Sequence, residues 1–150
     1  MSTNEVTTGQ QRNKETVRRL FAAFTANDAG TMDQLLAPGF TVHGLPPELG
    51  TGAAAMKGSA AVMHTALHDC RCEIEDLIAE NDLVAARYTA RATHNGELFG
   101  APPSGRTVTI TGIEIYRLAG GRIAEYWGEA NMSELFTPDC EQAHTSAVPS

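Results

Sequence analysis

From Cys72 onward the apolar periodicity of this chain changes from a helical one to the two-residue period of strands, and that single change bounds its fold. Residues 72–78, 83–93, 106–118 and 122–128 read as four strands rich in Val, Ile, Thr and Tyr. Glu80-Asn81-Asp82 and Gly120-Gly121 supply tight turns between neighbours. Before Cys72 the spacing is helical. Val17, Leu20, Phe21 and Phe24 stand at i, i+3, i+4 and i+7 behind Asn13 as a cap, and Met56, Ala60, Met63 and Leu67 stand at i, i+4, i+7 and i+11. Between them a short helix runs from Thr31 or Met32 to Ala37, stopped by Pro38 and Gly39, and Phe40–Val42 is a short strand. The stretch 43–52, with Gly44, Pro46, Pro47 and Gly50, is a loop. Helices first and antiparallel strands afterwards predict an α+β fold, not a βαβ one.

A chain of 150 residues fits one domain with a core large enough to enclose a ligand pocket. Residues 1–12 and 137–150 are poor in apolar side chains and read as loose tails around a folded unit at 13–136. The net charge of -7 comes without any Lys/Arg run or stripe, so nucleic acid is not an expected partner. No apolar run approaches the ~18 residues of a membrane span, and the N-terminus lacks the apolar segment of a leader. Cys70, Cys72 and Cys140 form neither a disulfide framework nor a zinc knuckle. The expectation is a reduced, cytoplasmic protein.

A two-residue Gly120-Gly121 loop sets Ala119 opposite Arg122 and Glu114 opposite Trp127. Val108, Ile110, Glu114, Tyr116 and Leu118 then share one face, joined by Ile123, Glu125 and Trp127 from the partner strand. Two carboxylates, Glu114 and Glu125, thus stand among apolar side chains as diagonal neighbours. Desolvation and like charge would raise their pKa values toward neutrality, which suits a proton-transferring acid. The competing reading is that a bulge near Gly112 or Gly128 flips the register, or that Arg117, Arg91 or Arg106 neutralises an ordinary edge carboxylate.

Other constellations carry less. His64 and His68 are four apart on the expected third helix and have no third ligand nearby, so they read as surface histidines and no metal site is predicted. His43 lies beside the presumed pocket mouth, as a substrate contact or an ordinary loop residue. Ser59 and Ser104 lack the strand-turn-helix setting of a nucleophile, and Ser59 reads as lining a helix face. No phosphate-binding glycine pattern occurs. Phe24, Phe40, Met63, Tyr88, Tyr116 and Trp127 are candidates to line a pocket for an aromatic ligand, or plain core.

At three stretches the sequence resembles the SnoaL-like polyketide cyclase branch of the nuclear transport factor 2-like superfamily. They are VRRLFAAFTANDAGTMDQLLAPGF, CEIEDLIAENDLVAARYTARATHNGELFGAPPSGRTV and GIEIYRLAGGRIAEYWGEAN. The resemblance implies a cone-shaped α+β barrel, in which a curved antiparallel sheet packs on helices around an apolar pocket, and a homodimer. It implies cofactor-independent ring closure of aromatic polyketides or a related hydroxylation; the expectation is acid/base cyclisation or isomerisation of a carbonyl substrate, with a hydroxylase component or a non-catalytic binding protein as the alternatives. Cyclases of the family carry an acid/base Asp just after the position of Trp127 and a His at the start of the hairpin; this chain has Gly128 and Glu114 there. On that comparison the catalytic candidates are Glu114, Glu125 and Asn131. Asn131 or Tyr126 is the expected enolate donor, and Glu129 is a further pocket residue.

Overall fold

The structure is a computed structural model that describes residues 3–136, and the side chains of 8–136. Three helices, α1 (Thr3–Thr25), α2 (Ala29–Leu35) and α3 (Gly52–Ala66), precede or interleave with five strands: β1 (Leu36–His43), β2 (Leu67–Glu80), β3 (Leu83–His94), β4 (Thr107–Ala119) and β5 (Arg122–Asn131). The strands form one sheet in the order β1-β5-β4-β3-β2. The fold is α+β, as the periodicity predicts, and its curved sheet wraps the helices into a cone. Among the described residues no helix is long and apolar enough to cross a membrane.

The apolar stripe of α1 does what its spacing predicts. Val17, Leu20 and Ala23 are buried, and Phe21 and Phe24 pack half-buried against the same core. The helix begins at Thr3, however, so Asn13 is not its cap and residues 3–12, expected as a tail, are helical. That stretch holds no proline and one glycine, so nothing stops the helix from propagating. Residues 137–150, the other expected tail, lie outside the described residues. The cap of α2 is Asp28, whose Oδ1 accepts the Thr31 N–H at 3.1 Å.

Three expectations fail for one physical reason: pairing at long range overrides local punctuation. Pro38 and Gly39 do not end a helix but lie inside β1, where the register breaks between Leu36 and Thr41. An edge strand tolerates a residue without an N–H at such an irregularity. Because β1 runs parallel to β5, the sheet is mixed, not wholly antiparallel. And β2 starts at Leu67, which puts His64 on α3 and His68 on β2, so the two histidines do not share a helical face.

The consequential difference is in the hairpin. Ala119 pairs with Arg122 and Leu118 with Ile123 as expected, but the register then shifts, and Arg117 pairs with Glu125. Ala124 is the extra residue of a β-bulge, so every later residue of β5 changes face. Glu114 lies opposite Gly128, not Trp127, and Tyr126 joins the inner face while Glu125 and Trp127 leave it. The competing reading, a bulge that flips the register, is the one found, at Ala124 and not near Gly112 or Gly128.

The long loop between β3 and β4 is held by His94, which is fully buried. Its N–H donates to the Arg106 carbonyl, and its own carbonyl accepts from Ser104 and Gly105. Leu98 and Ala101 tuck into a second apolar cluster with Leu67, Val108, Ile110 and Leu135. Leu98 and Ala101 thus anchor this loop to the second cluster, while Pro102, Pro103 and Gly105 stay exposed.

Candidate active site

Between α1, α3 and the concave inner face of the sheet lies a cavity of about 840 Å³. That is within the usual range for a small-molecule site. Phe21, Phe24, Met56 and Met63 form its helical wall, and Tyr88, Ile110, Glu114, Tyr116 and Tyr126 form its floor. The floor belongs to three adjacent strands. Alternation along β3 and β4 brings Tyr88, Glu114 and Tyr116 to one face, and the Ala124 bulge adds Tyr126 from β5.

Glu114 is the chemical centre of that floor. The Tyr116 hydroxyl donates to its Oε2 in a very short contact, and the Tyr126 hydroxyl donates to its Oε1 at 3.2 Å. The carboxyl keeps partial exposure, and this faces the cavity. Burial raises its pKa from 4.5 to about 7, against the two tyrosine hydrogen bonds, which lower it. Desolvation wins, so the group is divided between acid and base near neutrality, the condition for transferring a proton in either direction.

Two glycines make room for this arrangement. A Cβ added at Gly128 would come within 2.5 Å of Tyr126 Cζ and closer still to its hydroxyl. A Cβ at Gly112 would lie 2.5 Å from the Tyr88 hydroxyl and 2.6 Å from Cε1 and Cζ. Each tyrosine ring therefore lies in the space a side chain would take, and the phenols crowd around Glu114 because the strand beneath them is bare at Gly112 and Gly128. Gly128 is where the resembled cyclases carry Asp, and here the Tyr126 hydroxyl fills that space.

Of the candidates from the sequence, Glu114, Phe24, Ser59, Met63, Tyr88, Tyr116, Tyr126 and Glu129 line the cavity. The remaining five do not. Phe40 is buried in the main core beside Leu36 and Val42. Asn131 turns away, its Oδ1 accepting the Ser133 N–H at 3.0 Å. Glu125, His43 and Trp127 form a separate group on the outer face. His43 Nε2 lies 2.8 Å from Glu125, Arg117 forms an ion pair with the same carboxylate, and the His43 and Trp127 rings stack at 5.3 Å. The pairing of Glu114 with Glu125 is therefore corrected: the bulge puts them on opposite faces, and Arg117 neutralises Glu125.

The sequence reading missed several lining residues. Cys70 and Cys72 both face the cavity, as i and i+2 of a strand do, so strand alternation contained the signal. Burial, reinforced by Cys70, Glu114 and Glu73, pushes the Cys72 thiol up to about 12, which keeps it protonated and unreactive beside the ligand space. Phe21, expected only as part of the apolar stripe of α1, and His64 and His68, expected at the surface, all line the cavity.

A family model described as SnoaL-like polyketide cyclase matches residues 14–137. No curated protein matches the sequence. Among solved structures, the chain is similar to AclR from Streptomyces galilaeus, proposed to be a hydroxylase, at 26% identity and a TM-score of 0.73, covering 93% of this chain and 95% of that one. It is similar to IdmH, a proposed polyketide cyclase from Streptomyces antibioticus, at 29% identity and a TM-score of 0.71, covering 83% and 97%. TsrD from Streptomyces laurentii shares the fold at 24% identity and a TM-score of 0.76, covering 84% and 92%.

Proposed function

The chain belongs to the SnoaL-like polyketide cyclase family, and from that membership we propose that it is a cofactor-independent enzyme of aromatic polyketide biosynthesis. It carries out acid/base cyclisation or isomerisation of a carbonyl substrate. One observation carries this reading: the Glu114 carboxyl, held by two tyrosine hydroxyls, lies on the floor of an aromatic-walled cavity whose desolvation raises its pKa to about 7. As carboxylate, Glu114 takes a proton from the carbon next to a substrate carbonyl; as the resulting acid, it returns that proton to the product. Tyr116 and Tyr126 hold its two oxygens in place through both states. The aromatic and Met wall binds the ring system and excludes water from the enolate.

Turnover of an anthraquinone-type methyl ester by the wild type and by Glu114→Gln tests this. Loss of the proton-transfer group is expected to slow the reaction by about 10²–10⁴-fold. The wild-type rate is expected to rise with pH through about 7, as the carboxylate form becomes available. Equal rates for the two proteins remove Glu114 from the mechanism.

The likeness to AclR supports a second reading, in which the chain is a hydroxylase component acting on the same class of ligand. Product formation that is identical with and without oxygen eliminates it. A cavity that binds aromatic ligands but shows no Glu114-dependent chemistry points instead to a binding protein.

Two further features belong to this reading. The outer face of the sheet carries one cross-strand row of Ile78, Ala85, Ile115, Trp127 and His43. Ile78 is 64% exposed and Ile115 39%, with Ile113 beside them at 56%. An apolar strip of this kind fits a homodimer interface. Sedimentation is expected to give a dimer for the wild type and a monomer for Ile115→Lys; a wild-type monomer contradicts it. The free thiols Cys70 and Cys72 suit the reducing cytoplasm.

A further inference from the structure

The donor expected for a substrate oxygen was Asn131 or Tyr126, and both are committed elsewhere. Asn131 is bonded to the Ser133 N–H, and Tyr126 donates to Glu114, as does Tyr116. The third phenol differs from these two. Tyr88 lines the cavity, and among the described residues its hydroxyl has no hydrogen-bond partner. The hydroxyl opens to the cavity and is not buried away from solvent, so an acceptor on a bound ligand would take the place of solvent there.

The position of that hydroxyl is fixed, not incidental. Phe21 packs edge-on against the Tyr88 ring, with centroids 5.4 Å apart and planes at 65°. On the opposite side the far end of the ring rests on Gly112, where any side chain would collide with it. Gly112 is the cross-strand partner of Tyr88 and stands two residues before Glu114 on the same face of β4. The phenol and the carboxyl therefore open into the same part of the cavity. Burial first, then the charge of Glu114, raises the pKa of Tyr88, so it stays a neutral donor across the physiological range.

We infer that the Tyr88 hydroxyl is the donor that binds the carbonyl oxygen of a planar aromatic ketone or quinone, turning the adjacent carbon toward Glu114. The ligand class follows from the surroundings: a single acceptor oxygen satisfies the lone O–H, and a flat ring satisfies the Phe21, Phe24 and Met63 wall. The inference rests on the proposed enzymatic reading only in taking a carbonyl compound as the ligand.

The test uses two probes of the same shape, 9-fluorenone and fluorene, which differ in the carbonyl. Tyr88→Phe keeps the ring that packs on Phe21 and Gly112 and removes only the hydroxyl. It is expected to weaken fluorenone binding about three- to tenfold, the worth of one hydrogen bond, and to leave fluorene within about twofold. The infrared carbonyl band of bound fluorenone is expected at lower frequency in the wild type than in Tyr88→Phe. An unmoved band, or equal losses for the two probes, overturns the inference, since the phenol then meets only solvent or acts through packing. Binding of neither probe also overturns it. The two readings separate cleanly: a Tyr88-dependent band without Glu114-dependent turnover sinks the enzyme reading alone, and the reverse sinks the Tyr88 assignment alone.

Discussion

Above pH 7, Glu114→Gln is expected to be more stable than the wild type, and to lack the fall in stability that the wild type shows between about pH 5 and pH 8. The sign follows from proton linkage. The carboxyl has an ordinary pKa of 4.5 in the unfolded chain and about 7 in the folded one. Between those values the native state holds a proton that the unfolded chain has released. Stability therefore falls as pH rises through this window, and the loss is complete once the folded carboxyl ionises above about 7. A shift of this size corresponds to about 3 kcal/mol at most, reduced by the group's partial opening to the cavity. Glutamine preserves the shape, accepts a tyrosine hydrogen bond and carries no charge, so it removes the penalty. Urea denaturation at pH 5.5 and 8.5 measures this. Curves for the two proteins that stay parallel across that range would mean that the buried carboxyl is not strained by its surroundings. A variant that gains stability while losing turnover is the usual mark of a site held for chemistry at the expense of stability.

The second large effect is expected at Gly128. Gly128→Ala adds a Cβ into the Tyr126 ring, so the ring must leave its place and its hydrogen bond to Glu114. Overpacking of this kind costs about 1–3 kcal/mol, and the lost bond adds to it. In Tyr126→Leu the space is free, so adding Gly128→Ala to that variant should cost little. The double-mutant cycle is therefore expected to show a coupling of about 1–3 kcal/mol. Additive effects would show that Tyr126 does not occupy the space above Gly128. The same cycle separates steric need from backbone need, because Gly128 does not have the positive φ that glycine alone adopts readily.

Much of the framework was legible in the residues. The stripe Val17, Leu20, Phe21 and Phe24 specifies a helix with one buried side, and the alternation of β4 places Val108, Ile110, Glu114, Tyr116 and Leu118 on one face, as found. An acid within such a run is visible without coordinates. What was not legible is the bulge at Ala124, since inserting one residue into a ladder leaves no mark in composition and is settled by how the whole sheet closes. That one residue decides whether Tyr126 or Trp127 reaches the cavity, and whether Glu125 joins Glu114 or Arg117. The parallel pairing of β1 with β5 was hidden for a similar reason, because Leu36 and Ile123 are brought together by tertiary structure alone. Gly112 and Gly128 were readable as glycines but not as sockets, since that role depends on which tyrosine lies over each.

On the proposed reading, these particulars would let a chain without the cyclase Asp keep a proton-transferring group. The Tyr126 hydroxyl takes the space above Gly128 and turns back onto Glu114, while the second oxygen of Glu114 is held by Tyr116. The proposed chemistry has one carboxyl at its centre, and its competence would depend on where that carboxyl titrates.

Carbon-13 NMR of the glutamate side-chain carboxyls, with the Glu114 resonance assigned by its absence in Glu114→Gln, reads that quantity directly. A Glu114 midpoint near pH 7 is the predicted result. A midpoint near the ordinary 4.5 would contradict the account, because such a carboxylate is neither desolvated by the cavity floor nor able to act as an acid at neutral pH.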